Sequence, residues 1–249
     1  MTIVRGVRIL EAPCCGQRYA FPRYVSMNFM AFEFWTDGWR EGSPMPNDEG
    51  LRRCNCGRFL LIKHLTEVDT AESSELPWMS HVADDALADC IASADSQDLE
   101  MAARMTLWRY LNHPYRDRYR KHRDAEEAAT KAKWMSANSD RRSWWDKLRG
   151  RKEPVYKRPQ NSPFTCPTFD PSPEQLQNMQ RLTAILISDA ATSGYGHRIE
   201  LAELYREQSR FDDAERMIRT IDERDVDITS KLISSLISEC QPAPTRYRM

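Results

Sequence analysis

The sequence predicts an α+β fold in which a small β domain precedes a longer α-helical one, and three observations carry that prediction. Up to about residue 70 apolar residues tend to alternate with polar ones, and from about residue 80 they recur with a period near 3.6. Two close cysteine pairs, each followed by glycine, lie inside the first part: Cys14-Cys15-Gly16 and Cys54-Asn55-Cys56-Gly57. The strongest helix-start signal, Ser172-Pro173-Glu174-Gln175, lies far into the second part.

Taken in order, residues 2–9 alternate β-branched and polar side chains, residues 28–35 carry Phe29, Phe32, Phe34 and Trp35 before the turn Thr36-Asp37-Gly38, and residues 58–63 form a third apolar run. All three are strand signals. Residues 41–50, rich in Gly, Pro and Asn-Asp, read as a loop. Phe29, Phe32 and Trp35 are expected to fill the core of a β domain spanning residues 1–70, which is too small to be stable on apolar burial alone.

The cysteine pairs supply what such a domain lacks. Four thiolates satisfy a tetrahedral Zn²⁺, and two tight turns are the usual way for a short chain to deliver them. A glycine after the last cysteine of each turn lets the backbone enter the left-handed region at no steric cost. Seven cysteines are an odd number, and the N-terminus lacks the apolar core of a secretory signal. Both facts favour metal ligation in a reducing, cytoplasmic setting over disulfides.

The pattern resembles a zinc ribbon, whose knuckles read Cys-Pro-x-Cys-Gly, and the resemblance implies a structural zinc held by Cys14, Cys15, Cys54 and Cys56. The chain departs from that pattern by contraction. With Gly16 and Gly57 placed on the family glycine, the first ligand positions fall on Ala12 and Arg53. Adjacent cysteines point opposite ways in extended backbone. Either one of Cys14 and Cys15 is a bystander, with a group such as His64 completing the site, or the turn is distorted enough for both to ligate.

The helical part begins with Ser80 as a cap for a helix through Val82, Leu87 and Cys90, followed by Ser96 as the cap of a second with Leu107, Trp108 and Leu111 inside. Pro114 suits the first turn of a new helix after a break at Asn112-His113. These helices make a segment of residues 80–135, followed by a basic, proline-rich linker over 136–171 and a second helical segment over 172–240. In the latter, Leu176, Met179, Leu182, Ile185 and Leu186 form an apolar stripe behind the Ser172 capping box, and Leu232, Ile233, Leu236 and Ile237 mark a last helix over 228–240.

Between those two helices, residues 200–218 carry Leu201, Ala202 and Tyr205, then Ala214 and Ile218, at spacings that resemble one tetratricopeptide repeat over roughly residues 195–222. Ala202 and Ala214 allow close helix approach, and Tyr205 and Phe211 fill the wedge. The chain departs from the motif at Arg198, Ser209 and Val226, which stand where Trp, Gly and Pro are usual. One repeat cannot bury its own faces, so the flanking helices are expected to pack on it. The resemblance implies a protein-binding element.

Charge is uneven: residues 104–158 hold 17 basic against 7 acidic side chains, so the rest of the chain is acidic. Arg116, Arg120 and Arg123 beside Tyr115, Tyr119 and His122 suit a phosphate backbone with stacked bases. The same residues also suit a core seam, Trp108, Leu111, Tyr115, Tyr119 and His122, bordered by arginine stems. Residues 141–152 place basic side chains around Trp144, Trp145 and Leu148, as an interfacial or partner-docking segment does.

No catalytic signature is present: the five histidines form no His-Glu-x-x-His pair, and there is no phosphate-binding glycine loop, dinucleotide fingerprint or Gly-x-Ser-x-Gly elbow. No apolar run approaches the length of a membrane span. The sequence therefore leads to a soluble, cytoplasmic, non-catalytic zinc-binding adaptor, with a nucleic-acid-binding zinc protein as the alternative.

Overall fold

The computed structural model describes residues 2–27, 31–42, 49–137, 155–157, 166–189, 195–222, 224 and 226–247. Phe29, most of the loop over 41–50, the basic tryptophan segment 141–152 and much of the proline-rich linker lie outside the described residues. The chain divides into two compact units, one made of residues 1–112 and 170–249 and the other of residues 113–169. The fold is α+β, with small antiparallel sheets followed by helices.

Among the described residues, three three-stranded sheets build the N-terminal part of the first unit. In the first, β1 (Ile3–Glu11) pairs on one side with β2 (Arg18–Ser26) and on the other with β7 (Thr66–Ala71), both antiparallel. In the second, β3 (Glu33–Trp35) lies between β4 (Arg40–Glu41) and the C-terminal strand β9 (Arg246–Tyr247). In the third, β5 (Leu51–Arg53) lies between β6 (Phe59–Leu61) and β8 (Ser80–His81). Gly6, at φ 75°, sits at an irregularity in the β1–β2 register, where an added Cβ would collide with the Ala71 carbonyl oxygen.

The helices α1 (Leu87–Ala92) and α2 (Gln97–Leu111) follow. Ser96 caps α2 as its sequence predicts, its hydroxyl accepting the Leu99 N–H at 3.3 Å. Ser80 does not cap α1. It pairs with Arg53 across the third sheet, and a 3-10 turn at Asp84–Ala86 leads into the helix instead. One face of α2 joins Leu51, Leu61, Val82, Leu87 and Cys90 in a core beneath the third sheet. The other face brings Met105 and Trp108 into the helical core with α4 (Pro173–Asp189), α5 (Tyr195–Glu207), α6 (Phe211–Ile218) and α7 (Ile228–Ser238).

Within that core α5 and α6 form a helical hairpin with Ala202 and Ala214 fully buried, Tyr205 nearly so and Phe211 partly. Ser209, in the turn, has φ 58°, the left-handed conformation that glycine adopts most easily. Arg198 does not fill a core wedge; its Nη1 donates to the Thr220 carbonyl beyond the end of α6, at 2.6 Å. The flanking helices supply the packing a lone hairpin needs, through Met179, Leu182 and Leu186 of α4 and Ile233 and Ile237 of α7. At the start of α4 the Ser172 hydroxyl accepts the Gln175 N–H at 3.1 Å, but the Gln175 amide reaches the Asn112 side-chain oxygen rather than closing the box.

A layer of buried charge joins hairpin, strands and tail. Trp108 Nε1 donates to Glu207 at 2.7 Å, and the Asn112 amide donates to Asp37 at 2.9 Å and to Glu207 at 3.2 Å. Arg206, fully buried, donates to Glu203, to the Ala243 carbonyl at 2.9 Å and to the Thr36 hydroxyl at 3.2 Å. Thr36 and Thr245 exchange backbone and hydroxyl bonds, which fixes β9 against β3.

Trp35 is fully buried, as core fill requires, and its Nε1 donates to Glu33 at 2.9 Å. Phe32 is not core fill: it is 65% exposed, one position before the short β3.

The second unit is built on α3 (His113–Ala137), which starts beyond the break at Asn112 with Pro114 in its first turn. Tyr115 meets Phe169 edge to face with ring centres 5.2 Å apart, and Trp134 meets Tyr156 at 5.6 Å. Tyr115 and Tyr119 are buried along the seam, whereas His122 is exposed. Arg116 is fully buried, so the three arginines do not form one exposed stripe. Arg120 bonds Asp117 and Arg123 bonds Asp124, each at 3.2 Å.

Candidate metal centre

The two cysteine pairs occupy the tips of two β-hairpins. Residues 12–17 turn β1 into β2, with the Ala12 N–H donating to the Gln17 carbonyl and the Gly16 N–H to the Ala12 carbonyl, both at 2.9 Å. Residues 54–58 turn β5 into β6 in the same way but one residue shorter: the Cys54 N–H donates to the Arg58 carbonyl and the Gly57 N–H to the Cys54 carbonyl, both at 2.8 Å. Gly16 at φ 70° and Gly57 at φ 93° close the turns from the left-handed region that the sequence requires of them.

The two tips present all four sulfurs to one point. Every pair of the sulfurs of Cys14, Cys15, Cys54 and Cys56 lies within 4.8 Å. Cys14 and Cys15 stand 3.8 Å apart, Cys14 and Cys56 3.4 Å, and Cys15 and Cys54 3.5 Å. A tetrahedron with metal–sulfur bonds of about 2.3 Å has edges of about 3.8 Å. The donor set and its spacing thus fit a structural metal such as zinc.

Adjacent cysteines converge here because residues 13–15 form a turn, not a strand, so their side chains fan around it instead of alternating. Ala12, at the position where the ribbon pattern has its first cysteine, is fully buried and serves as turn closure. His64 does not complete the site. It ends a 3-10 turn at Ile62–His64 and faces Asp98, with Nε2 3.6 Å from the carboxylate.

Tyr19 is the residue that sequence reasoning missed. It is fully buried at the start of β2, accepts the Asn55 N–H at 2.9 Å and directs its hydroxyl at Cys54 Sγ, 3.2 Å away. Burial opposes ionisation of Cys54, but the Tyr19 hydroxyl, the Cys56 amide and the neighbouring thiols outweigh it and bring the thiol down to about 6. Burial and hydrogen bonds from the other three thiols push Cys14 up, and burial lifts Tyr19 to about 12, so that Tyr19 stays a donor. Beneath the turns Leu10, Tyr19, Phe21 and Met79 pack around Cys54 as a small core.

The solvent side is bare. Cys15 and Cys56 are exposed and Cys14 is partly exposed, and a Cβ added at Gly16 or Gly57 would meet no atom within 4 Å.

No protein-family model, curated protein or solved structure matches the chain.

The centre is the one group of potential metal ligands among the described residues. No helix among them is long and apolar enough to cross a membrane.

Proposed function

We propose that the chain is a non-catalytic zinc-binding adaptor acting through protein–protein interaction, with a ribbon-like N-terminal module and a tetratricopeptide-like helical hairpin. The observation that carries this reading is the meeting of four thiols from two hairpin tips at tetrahedral spacing. Four cysteine ligands close the coordination sphere and leave no position for substrate or water, which is the mark of a structural rather than a catalytic zinc.

The partner surface in this reading is the groove between α6 and α7, about 260 Å³ in volume and lined by Phe211, Asp212, Glu215, Ile218, Ser234 and Ile237 among others. Its apolar floor and charged rim suit a peptide segment. The nucleic-acid alternative loses support from the burial of Arg116, since its arginine stripe requires that side chain at the surface.

Affinity capture with and without nuclease tests the proposal. Protein recovery that survives nuclease treatment, and that falls when the exposed groove residues Asp212 and Glu215 are replaced by Lys in a chain that remains folded, is the expected result. Tight RNA or DNA binding that weakens steeply with salt and is lost in an Arg120→Glu, Arg123→Glu chain overturns it.

A further inference from the structure

We propose that the four-cysteine centre is a reversible oxidation site, at which peroxide joins Cys14 to Cys56 and expels the metal while the two hairpins stay linked. The proposal rests on the metal reading above. Its own observations are the bare outer face of the centre and the pairing of the sulfurs across the two turns. A structural metal site is ordinarily shielded by its surroundings, and solvent access governs how its ligands react. Here Cys15 and Cys56 are exposed and Cys14 is partly so, while Cys54 is covered, with the Tyr19 hydroxyl against its sulfur.

Two short sulfur separations cross from one hairpin to the other: Cys14 to Cys56 at 3.4 Å and Cys15 to Cys54 at 3.5 Å. Both are shorter than the 3.8 Å between neighbours Cys14 and Cys15, whose direct bond would also force a strained ring through one peptide unit. Between the crossing pairs, Cys14–Cys56 reacts first, because both its sulfurs are reachable and neither is held by a tyrosine donor.

In the first step the Cys56 thiolate attacks one oxygen of hydrogen peroxide, the O–O bond breaks, and a sulfenic acid and hydroxide form. In the second the Cys14 thiolate attacks that sulfur, the S–O bond breaks and a second hydroxide leaves. Two thiolates have given two electrons to peroxide, two protons from solvent convert the hydroxides to water, and the chain gives up the ion with two of its four ligands gone. A dithiol reductant with added zinc reverses the change.

The test uses the full chain loaded with zinc, with metal content measured before oxidation. Peroxide is added in steps, zinc release is followed with a chromophoric chelator, and unreacted thiols are alkylated before peptide mapping, so that fragmentation shows which of Cys14 and Cys15 was protected. Release of one zinc per disulfide, with Cys14 joined to Cys56 and Cys15 alkylated, is expected, as is recovery of zinc after reduction. Zinc retained under peroxide that oxidises other thiols, or a first disulfide between Cys14 and Cys15 or between Cys15 and Cys54, overturns the proposal and leaves the metal reading intact. A folded, reduced chain that takes up no zinc at the outset overturns both.

Discussion

The Tyr19 hydroxyl lies 3.2 Å from Cys54 Sγ while accepting the Asn55 N–H at 2.9 Å, so a side chain of the first hairpin orients a thiol on the second. Outer partners of this kind fix ligand direction and typically change metal affinity tenfold to a hundredfold when removed. Tyr19→Phe keeps the buried ring and deletes only the hydroxyl. Its zinc affinity should fall by about tenfold or more in a chelator competition, with helicity unchanged. Unaltered affinity would show that the hydroxyl only satisfies the Asn55 amide.

The convergence of Cys14 and Cys15 on one point predicts that neither is a bystander. Cys14→Ser and Cys15→Ser, made separately, should each weaken zinc binding by well over tenfold, because each removes one of four ligands. The double change Cys54→Ser, Cys56→Ser should abolish binding and loosen both turns, which near-ultraviolet circular dichroism of Tyr19 reports, while α4 to α7 keep their far-ultraviolet signal. One harmless single variant would reduce the site to three sulfurs.

Much of the centre was legible because its signals are local. A glycine that closes a turn is read from two or three residues, and Gly16 and Gly57 do adopt the left-handed backbone. Tyr19 was illegible, since its role depends on Cys54, 35 residues away. The same contrast runs through the fold. Ser96 and Ser172 cap helices whose periodicity follows directly, whereas Ser80 was claimed by strand pairing with Arg53, which no local pattern announces. Strands β2 and β7 also went unread, β7 because all but its last residue is exposed and so shows no apolar alternation. Buried Glu203, Arg206 and Glu207 look in sequence like a solvated helical face, and only the returning C-terminal segment at Ala243, with Trp108 and Asn112, shows them to be interior.

The helical hairpin gives two opposite predictions. Ser209→Gly should stabilise the chain by about 1 kcal/mol, because a residue at φ 58° carries a left-handed cost that glycine lacks. Ala214→Glu should destabilise it by about 3 kcal/mol or more, since Ala214 is fully buried and the new carboxylate has no partner in the apolar core. Chemical denaturation of the zinc-loaded protein measures both. A neutral Ala214→Glu would mean that α5 and α6 do not pack through that position.

The buried carboxyls set the pH dependence. Glu207 is raised well above the ordinary carboxyl value, first by burial and then by Glu203 and Asp37, with Trp108 and Arg206 opposing. Glu200 is raised to about 7 by burial and by Glu49, against the pull of Arg109. A carboxyl with a higher pKa in the folded state binds a proton on folding, so its contribution is complete below the ordinary carboxyl range and is lost as pH rises through the folded value. For Glu200 the window therefore runs from about 4.5 to about 7; for Glu207 it opens at the same ordinary carboxyl value and closes at its raised one. Stability should thus decline as pH rises from the ordinary carboxyl range on account of these two groups. The cleanest reading is a difference against a neutral mimic, because metal binding has its own pH dependence and cancels between variants that keep all four cysteines. The stability of the parent relative to Glu200→Gln should fall across pH 5 to 7 and level off above it. Relative to Glu207→Gln, which keeps an oxygen to accept from Trp108 Nε1, stability should likewise fall as pH rises from the ordinary carboxyl range. Parallel stability curves for parent and both variants would mean that both carboxyls are ionised in the folded chain at neutral pH, with Arg109 and Arg206 fully compensating their burial.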